Sequence, residues 1–128
     1  MISISGYCLK YGETIASHPP VLPGALMHGL ATIENIPVYV SNYFSTSMHV
    51  YPLPDGVATL FHRKDGVYCN IRLLDNYDNM VDELSKLKIG CFANEIKLDK
   101  DNNIIDGRIR YVNLCDTNIE KIEEIGVI

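Results

Sequence analysis

The 128-residue sequence has no tryptophan, no cluster of lysines and arginines, and no apolar run near the ~20 residues that span a bilayer. Its formal net charge is −5, so a nucleic-acid backbone is not an expected partner. The first residues lack the basic start and apolar block of a secretory signal. We therefore expect no nucleic-acid partner and no membrane partner, and a location in the cytoplasm or in a particle assembled there.

Paired metal-ligand spacing is also missing. The four cysteines, Cys8, Cys69, Cys91 and Cys115, contain no CxxC pair, and the four histidines are scattered along the chain. Because zinc sites need paired ligand spacing, the sequence predicts no metal and no cofactor. Each cysteine lies within a predicted strand, and in a reducing compartment a free cysteine behaves as a small buried hydrophobic residue.

What the sequence does contain favours β-structure in one domain covering residues 1–128. Hydrophobic residues make up 47% of the chain, and eight residues are tyrosine. Residues 88–116 are typical of two long strands joined by the polar turn DKDNN at 99–103. This turn imitates the start of a calcium loop, but the sixth position is Ile104 and the twelfth is Arg110. A plain hairpin turn is therefore predicted.

Alternating apolar residues predict further strands over residues 2–9, 36–40, 57–61 and 67–73. An Asp65-Gly66 turn joins the last two into a hairpin whose returning strand has one apolar face. Short helices are predicted over residues 25–33, 77–87 and 117–124. The predicted fold class is mainly β (α+β), a small folded β-barrel of about six to seven strands with two or three short helices.

A nucleophilic cysteine and its histidine base meet in space rather than in sequence, so spacing alone does not identify them. Among the cysteines, Cys91 is the strongest candidate nucleophile, with His49 or His62 as its base. A cysteine in a strand core is the favoured interpretation of the same residue. The residues by themselves predict a small β domain without an active site.

Five short motifs nevertheless follow one another in a suggestive order. They are GY at 6–7, PGAL at 23–26, IPVYV at 36–40, RKDGVY at 63–68 and YVNLC at 111–115. In this order the chain resembles the prohead (procapsid maturation) proteases of tailed bacteriophages. The resemblance implies a prohead-protease-like β-barrel over nearly the whole chain.

The resemblance also implies where a catalytic triad would lie. The family's histidine falls at Asn42 or Tyr43, its serine at Ile89 or, shifted by two, Cys91, and its acidic residue at Tyr111. None of these positions keeps the family's residue type, and a nucleophile without its base and orienting partner loses most of its rate gain. The chain is therefore expected to be a catalytically degenerate member of the family.

A domain of this kind is expected to be an auxiliary or decoration protein of a phage capsid. The implied partner is the major capsid protein, bound in many copies per particle, and the implied location is the virion, assembled in the host cytoplasm. Exposed tyrosines suit such a contact, and the candidates are Tyr39, Tyr43, Tyr51 and Tyr68. Two alternatives stay open: an active maturation protease that uses Cys91, and a host-side binding domain unrelated to capsids.

Overall fold

A computed structural model describes residues 1–13, 18–40 and 53–128 of the chain. Of the described residues, 57% lie in strands and 6% in helices. The strands are β1 (Ile2–Lys10), β2 (Thr32–Val40), β3 (Gly56–His62), β4 (Gly66–Leu73), β5 (Lys88–Leu98), β6 (Ile104–Cys115), β7 (Glu120–Lys121) and β8 (Glu124–Val127). The helices are a 3₁₀ helix at Asp75–Tyr77 and α1 (Val81–Leu84). The predicted mainly β class is confirmed.

All eight strands belong to one sheet, in the order β7-β5-β6-β2-β3-β4-β1-β8. Neighbouring strands are antiparallel except β2 and β6, which pair in parallel from Val38 to Val40. The sheet curls into an open half-barrel. It holds eight strands instead of the six to seven predicted, because two short strands form at the C-terminal end of the chain.

The C-terminal residues lie across the gap between the two long edges of the sheet. β7 pairs with β5, and β8 pairs with β1. Between them, the backbone N–H of Glu123 donates to the carbonyl of Ser5 at 2.9 Å. The helix predicted over 117–124 is therefore wrong, since these backbone groups bond to unpaired sheet edges instead of to one another.

At the same gap, β1 approaches its neighbours very closely. A Cβ on Gly6 would come within 2.8 Å of Ile89 Cδ1 and 2.9 Å of the Lys121 carbonyl oxygen. Only glycine therefore allows so close a backbone approach at this position.

The core covers one face of the sheet, called here the inner face. In β4 the inward residues Val67, Cys69, Ile71 and Leu73 are all 0% exposed, as their alternation predicted. The residues between them, Tyr68, Asn70 and Arg72, lie on the opposite, outer face. One face of this strand is therefore solid core, while the other is free to meet solvent or a partner.

The other two predicted helices are largely replaced by turns. Within the predicted helix 25–33, residues 25–29 make turns and residues 32–33 belong to β2, and left-handed backbone at His28 and Gly29, with φ of 53° and 75°, interrupts any helix. Over 77–87 only the four residues of α1 are α-helical, and no side chain caps them. Within the described ranges, no helix is long and apolar enough to cross a bilayer.

The long ribbon of β5 and β6 has the predicted polar turn. One Asp99 oxygen accepts the backbone N–H groups of Asp101 and Asn103, both at 2.9 Å. Asn102 has a left-handed φ of 65°, which asparagine tolerates better than most residues. Because its carboxylate holds the turn together, Asp99 has a structural role there, and the plain hairpin is confirmed.

Candidate functional site

Three of the four cysteines converge on the inner face, where the sheet edges approach. Cys69 is 0% exposed and Cys8 4% exposed, while Cys91 is half-buried. Cys8 sits at a β-bulge in β1 and lies against both Cys69 and Cys91. The neighbouring Cys8 thiol and burial raise the pKa of Cys91 well above its ordinary value. A thiol in this environment stays protonated and is a poor nucleophile at neutral pH.

Of the two predicted histidine bases, the one that the structure describes, His62, does not lie beside Cys91. His62 is exposed, and its Nδ1 lies 2.7 Å from the Tyr11 hydroxyl. It borders a cleft with Pro23 and Ile105, whereas Cys91 lines two other clefts. His49 lies outside the described residues. The predicted pairing of Cys91 with His62 is not present in this structure.

The structure instead brings His18 to the Cys91 clefts, which sequence reasoning missed. The Ile104 N–H donates to the Pro20 carbonyl at 2.8 Å and so fixes the segment after His18 beside β6. His18 Nδ1 lies 2.8 Å from the Pro19 carbonyl oxygen. Within the described part of the chain, no hydrogen bond joins His18 to Cys91. No sequence motif could have indicated this proximity, because it depends on how a loop docks.

Glu120 completes the polar lining of one of these clefts. Its Oε2 atom is buried and no described residue forms a hydrogen bond with it, and burial together with nearby Glu13 raises the pKa of Glu120. An acid, an imidazole and a thiol therefore share one cleft. Without a hydrogen bond that links them in the described residues, the set lacks the relay that activates a nucleophile.

The two triad positions that the structure describes, those of the serine and of the acid, do not converge either. Ile89 is 1% exposed and belongs to the core. Tyr111 lies on the outer face, where its ring stacks on Phe92, so Tyr111 and Cys91 occupy opposite faces of the sheet. Asn42 and Tyr43 fall outside the described residues. Among the described residues, no group of three or more histidine, cysteine or acidic side chains is placed to hold a metal ion.

The outer face carries two ordered groups of aromatic side chains. The first, called the ribbon cluster, consists of Tyr39, Tyr111 and Phe92 on three adjacent strands. The Tyr39 and Tyr111 rings meet edge to face with their centroids 5.3 Å apart, and Tyr111 stacks on Phe92 at 5.2 Å, both within the roughly 4.5–7 Å range of aromatic pairs. Phe92 is 47% exposed, so the cluster presents an apolar surface to solvent.

The second group, called the hairpin cluster, consists of Tyr7, Arg63, Asp65 and Tyr68. Tyr7 and Tyr68 are direct cross-strand neighbours, and their rings meet edge to face at 5.1 Å. The Arg63 guanidinium lies over the Tyr68 ring, 3.6 Å from its centroid. The Tyr7 hydroxyl donates to Asp65 Oδ1 at 2.7 Å. Contacts of these kinds hold flat side chains in place before any partner arrives.

Two of the four tyrosines predicted for a partner contact belong to these clusters. Tyr39 lies in the ribbon cluster and Tyr68 in the hairpin cluster, while Tyr43 and Tyr51 fall outside the described residues. Phe92, Arg63 and Tyr7 were not among the predicted residues. Cross-strand pairing in the predicted hairpin could have suggested that Arg63 lies beside Tyr68. It could not have suggested that Tyr7, from another strand, packs against Tyr68.

Comparisons with known proteins add no relative to this description. No protein-family model, no curated protein and no solved structure matches the chain. The resemblance to prohead proteases therefore stays a prediction that rests on the sequence motifs alone.

Proposed function

We propose that this protein is a non-catalytic structural protein that binds another protein through the outer face of its sheet. In the specific form that the sequence motifs suggest, it is an auxiliary or decoration protein of a phage capsid. It binds the major capsid protein in many copies and stabilises the shell of the virion. Its sheet is then a prohead-protease-like barrel that has lost its chemistry.

The observation that carries this proposal is the contrast between Cys91 and the aromatic clusters. Cys91 is the one residue at the family's serine position that could attack a carbonyl, yet Cys8 and burial raise its pKa well above the ordinary value. The exposed side of the same ribbon presents Phe92 and Tyr111 as a stacked pair. An unreactive thiol on one face and ordered aromatic side chains on the other favour binding over catalysis.

Aromatic side chains suit this role for a physical reason. A tyrosine offers a large contact area with few rotatable bonds, so little conformational entropy is lost when a partner binds. In both clusters the rings already hold one another, which lowers that loss further. A protein that must bind in many copies to a repeating shell gains from such preorganised contacts.

Mass spectrometry of purified particles tests the proposal. The gene is expressed together with the head genes of its phage, and particles are purified on a density gradient before quantification. We expect the protein at a fixed ratio to the major capsid protein. We also expect no cleavage when the purified protein is mixed with capsid precursor.

The alternatives give different results in the same experiment. An active maturation protease would cleave the precursor, and the Cys91→Ala variant would not. A host-side binding domain would be absent from particles. Absence from mature particles would contradict the proposed function.

A further inference from the structure

Positive charge gathers at one end of the β3–β4 hairpin, although the chain as a whole carries a net charge of −5. Lys10, Arg63 and Lys64 all lie at this end, beside the rings of the hairpin cluster. The Lys10 ammonium is 5.3 Å from the centroid of the Tyr7 ring. Within the described residues, no carboxylate lies within ion-pair distance of Arg63 or Lys64, although Asp65 and Glu123 lie near Arg63 and Lys10 is paired with Glu120 at 3.9 Å.

The position of Arg63 prepares it to bind an anion. Its guanidinium is 3.6 Å from the Tyr68 ring centroid and 5.9 Å from that of Tyr7. Stacking uses the face of the guanidinium plane and leaves N–H donors at its rim. A planar fork of donors matches the two oxygens of a carboxylate, and a stacked arginine loses less freedom on binding than a mobile one.

Asp65 holds the arrangement together and limits what it can bind. Its Oδ1 accepts the Tyr7 hydroxyl at 2.7 Å, which orients Tyr7 against Tyr68. The same carboxylate places a negative charge beside the cations. A nucleic acid is bound through many phosphate contacts, more than these few cations can make, whereas a single carboxylate can reach Arg63.

We propose that the hairpin cluster is a binding site for a carboxylate side chain in an acidic segment of a partner protein, received by Arg63. This inference rests on the proposed function, because it names the chemistry of the partner at one of the two aromatic clusters. Tyr68 and Tyr7 provide an apolar surface beside the pair of Arg63 with that carboxylate, and Lys64 attracts the segment from solution.

Fluorescence anisotropy with a labelled oligoglutamate peptide tests the inference. Three variants are compared with the wild-type protein at 50 and 150 mM salt: Arg63→Ala, Arg63→Lys and, as the matched control, Arg72→Ala. Arg72 is an exposed arginine on the outer face of the same hairpin, so its removal changes the net charge equally. Circular dichroism verifies that each variant is folded.

We expect Arg63→Ala to weaken peptide binding by about tenfold or more, since a charge-assisted pair is lost. Arg63→Lys keeps the charge but loses the planar fork and should fall between Arg63→Ala and wild type. Arg72→Ala should weaken binding less than about twofold, as expected for a loss of long-range attraction alone.

Equal losses in Arg63→Ala and Arg72→Ala would overturn the inference, because only net charge would then matter. Labelled oligothymidine bound as tightly as oligoglutamate would overturn it too. Neither result bears on whether the protein is found in particles. Conversely, absence from particles together with Arg63-dependent peptide binding would overturn the proposed capsid role and leave this site standing.

Discussion

The inner and outer faces of the sheet differ in whether their side chains are available to act on another molecule. The inner face holds the residue types associated with chemistry, with Cys8 and Cys91 in contact and His18 nearby. Burial and mutual contact make those thiols part of the packing. The outer face instead presents ordered aromatic rings that reach solvent. A residue's type indicates a function only together with its environment.

The two faces can be compared most clearly in strand β4, because neighbouring residues there point to opposite faces. Ile71 is 0% exposed, so Ile71→Ala should lower the free energy of unfolding by about 2–5 kcal/mol through lost burial and a new cavity. The matched outer-face change, Arg72→Ala, should shift it by less than about 0.5 kcal/mol. Urea unfolding followed by circular dichroism measures both. Similar losses in the two variants would mean that the faces are not distinct.

The gap between the sheet edges provides a second test. Gly6→Ala would push a methyl group toward Ile89 and the Lys121 carbonyl, both within 2.9 Å of the added Cβ, and should cost about 1–3 kcal/mol. The control is Gly126→Ala in β8, where an added Cβ meets nothing within 4 Å. Thermal unfolding should separate the two variants clearly. A stable Gly6→Ala protein would show that the C-terminal residues do not pack across this gap.

A third effect is a loss of stability at high pH, and it involves Tyr77 in the 3₁₀ helix that follows β4. Burial and the Asp55 carboxylate, which accepts the Tyr77 hydroxyl at 2.8 Å, raise the pKa of Tyr77 to about 12. Above its ordinary pKa of 10.0 the unfolded chain loses this proton while the folded protein keeps it. Stability should therefore fall as pH rises from 10 toward 12. Above pH 12 the titration of Tyr77 should cause no further loss.

Tyr77→Phe should flatten that decline, because the group that titrates is gone while the other tyrosines remain. The free energy of unfolding is measured for both proteins at several pH values between 8 and 12. Parallel curves for wild type and variant would show that Tyr77 titrates normally in the folded state.

Period-two alternation predicted strands of this sheet but not how they assemble. It identified the inward residues of β4, because the side chains of a half-buried strand alternate strictly between core and solvent. The turn at 99–103 was predictable because the aspartate side chain bonds to its own backbone. Local signals of this kind need no knowledge of the rest of the chain.

The parts that sequence reasoning missed all depend on distant segments. Residues 117–124 have a helical composition, yet they form strands because two sheet edges offer them backbone partners. His18 reaches the Cys91 cleft only because the Pro20 carbonyl bonds to β6. Gly66 was predicted as a turn glycine, but the structure requires glycine there because a Cβ would clash with the Leu9 carbonyl oxygen.

The alkylation rate of each cysteine shows whether Cys91 belongs to the packing or to a catalytic centre. The native protein is treated with iodoacetamide at pH 7.5, and labelling of each cysteine is followed by peptide mass spectrometry. With its pKa raised, Cys91 should react at least about tenfold more slowly than free cysteine. Contradiction would come from Cys91 reacting fastest of the four, with a rate that falls in His18→Ala.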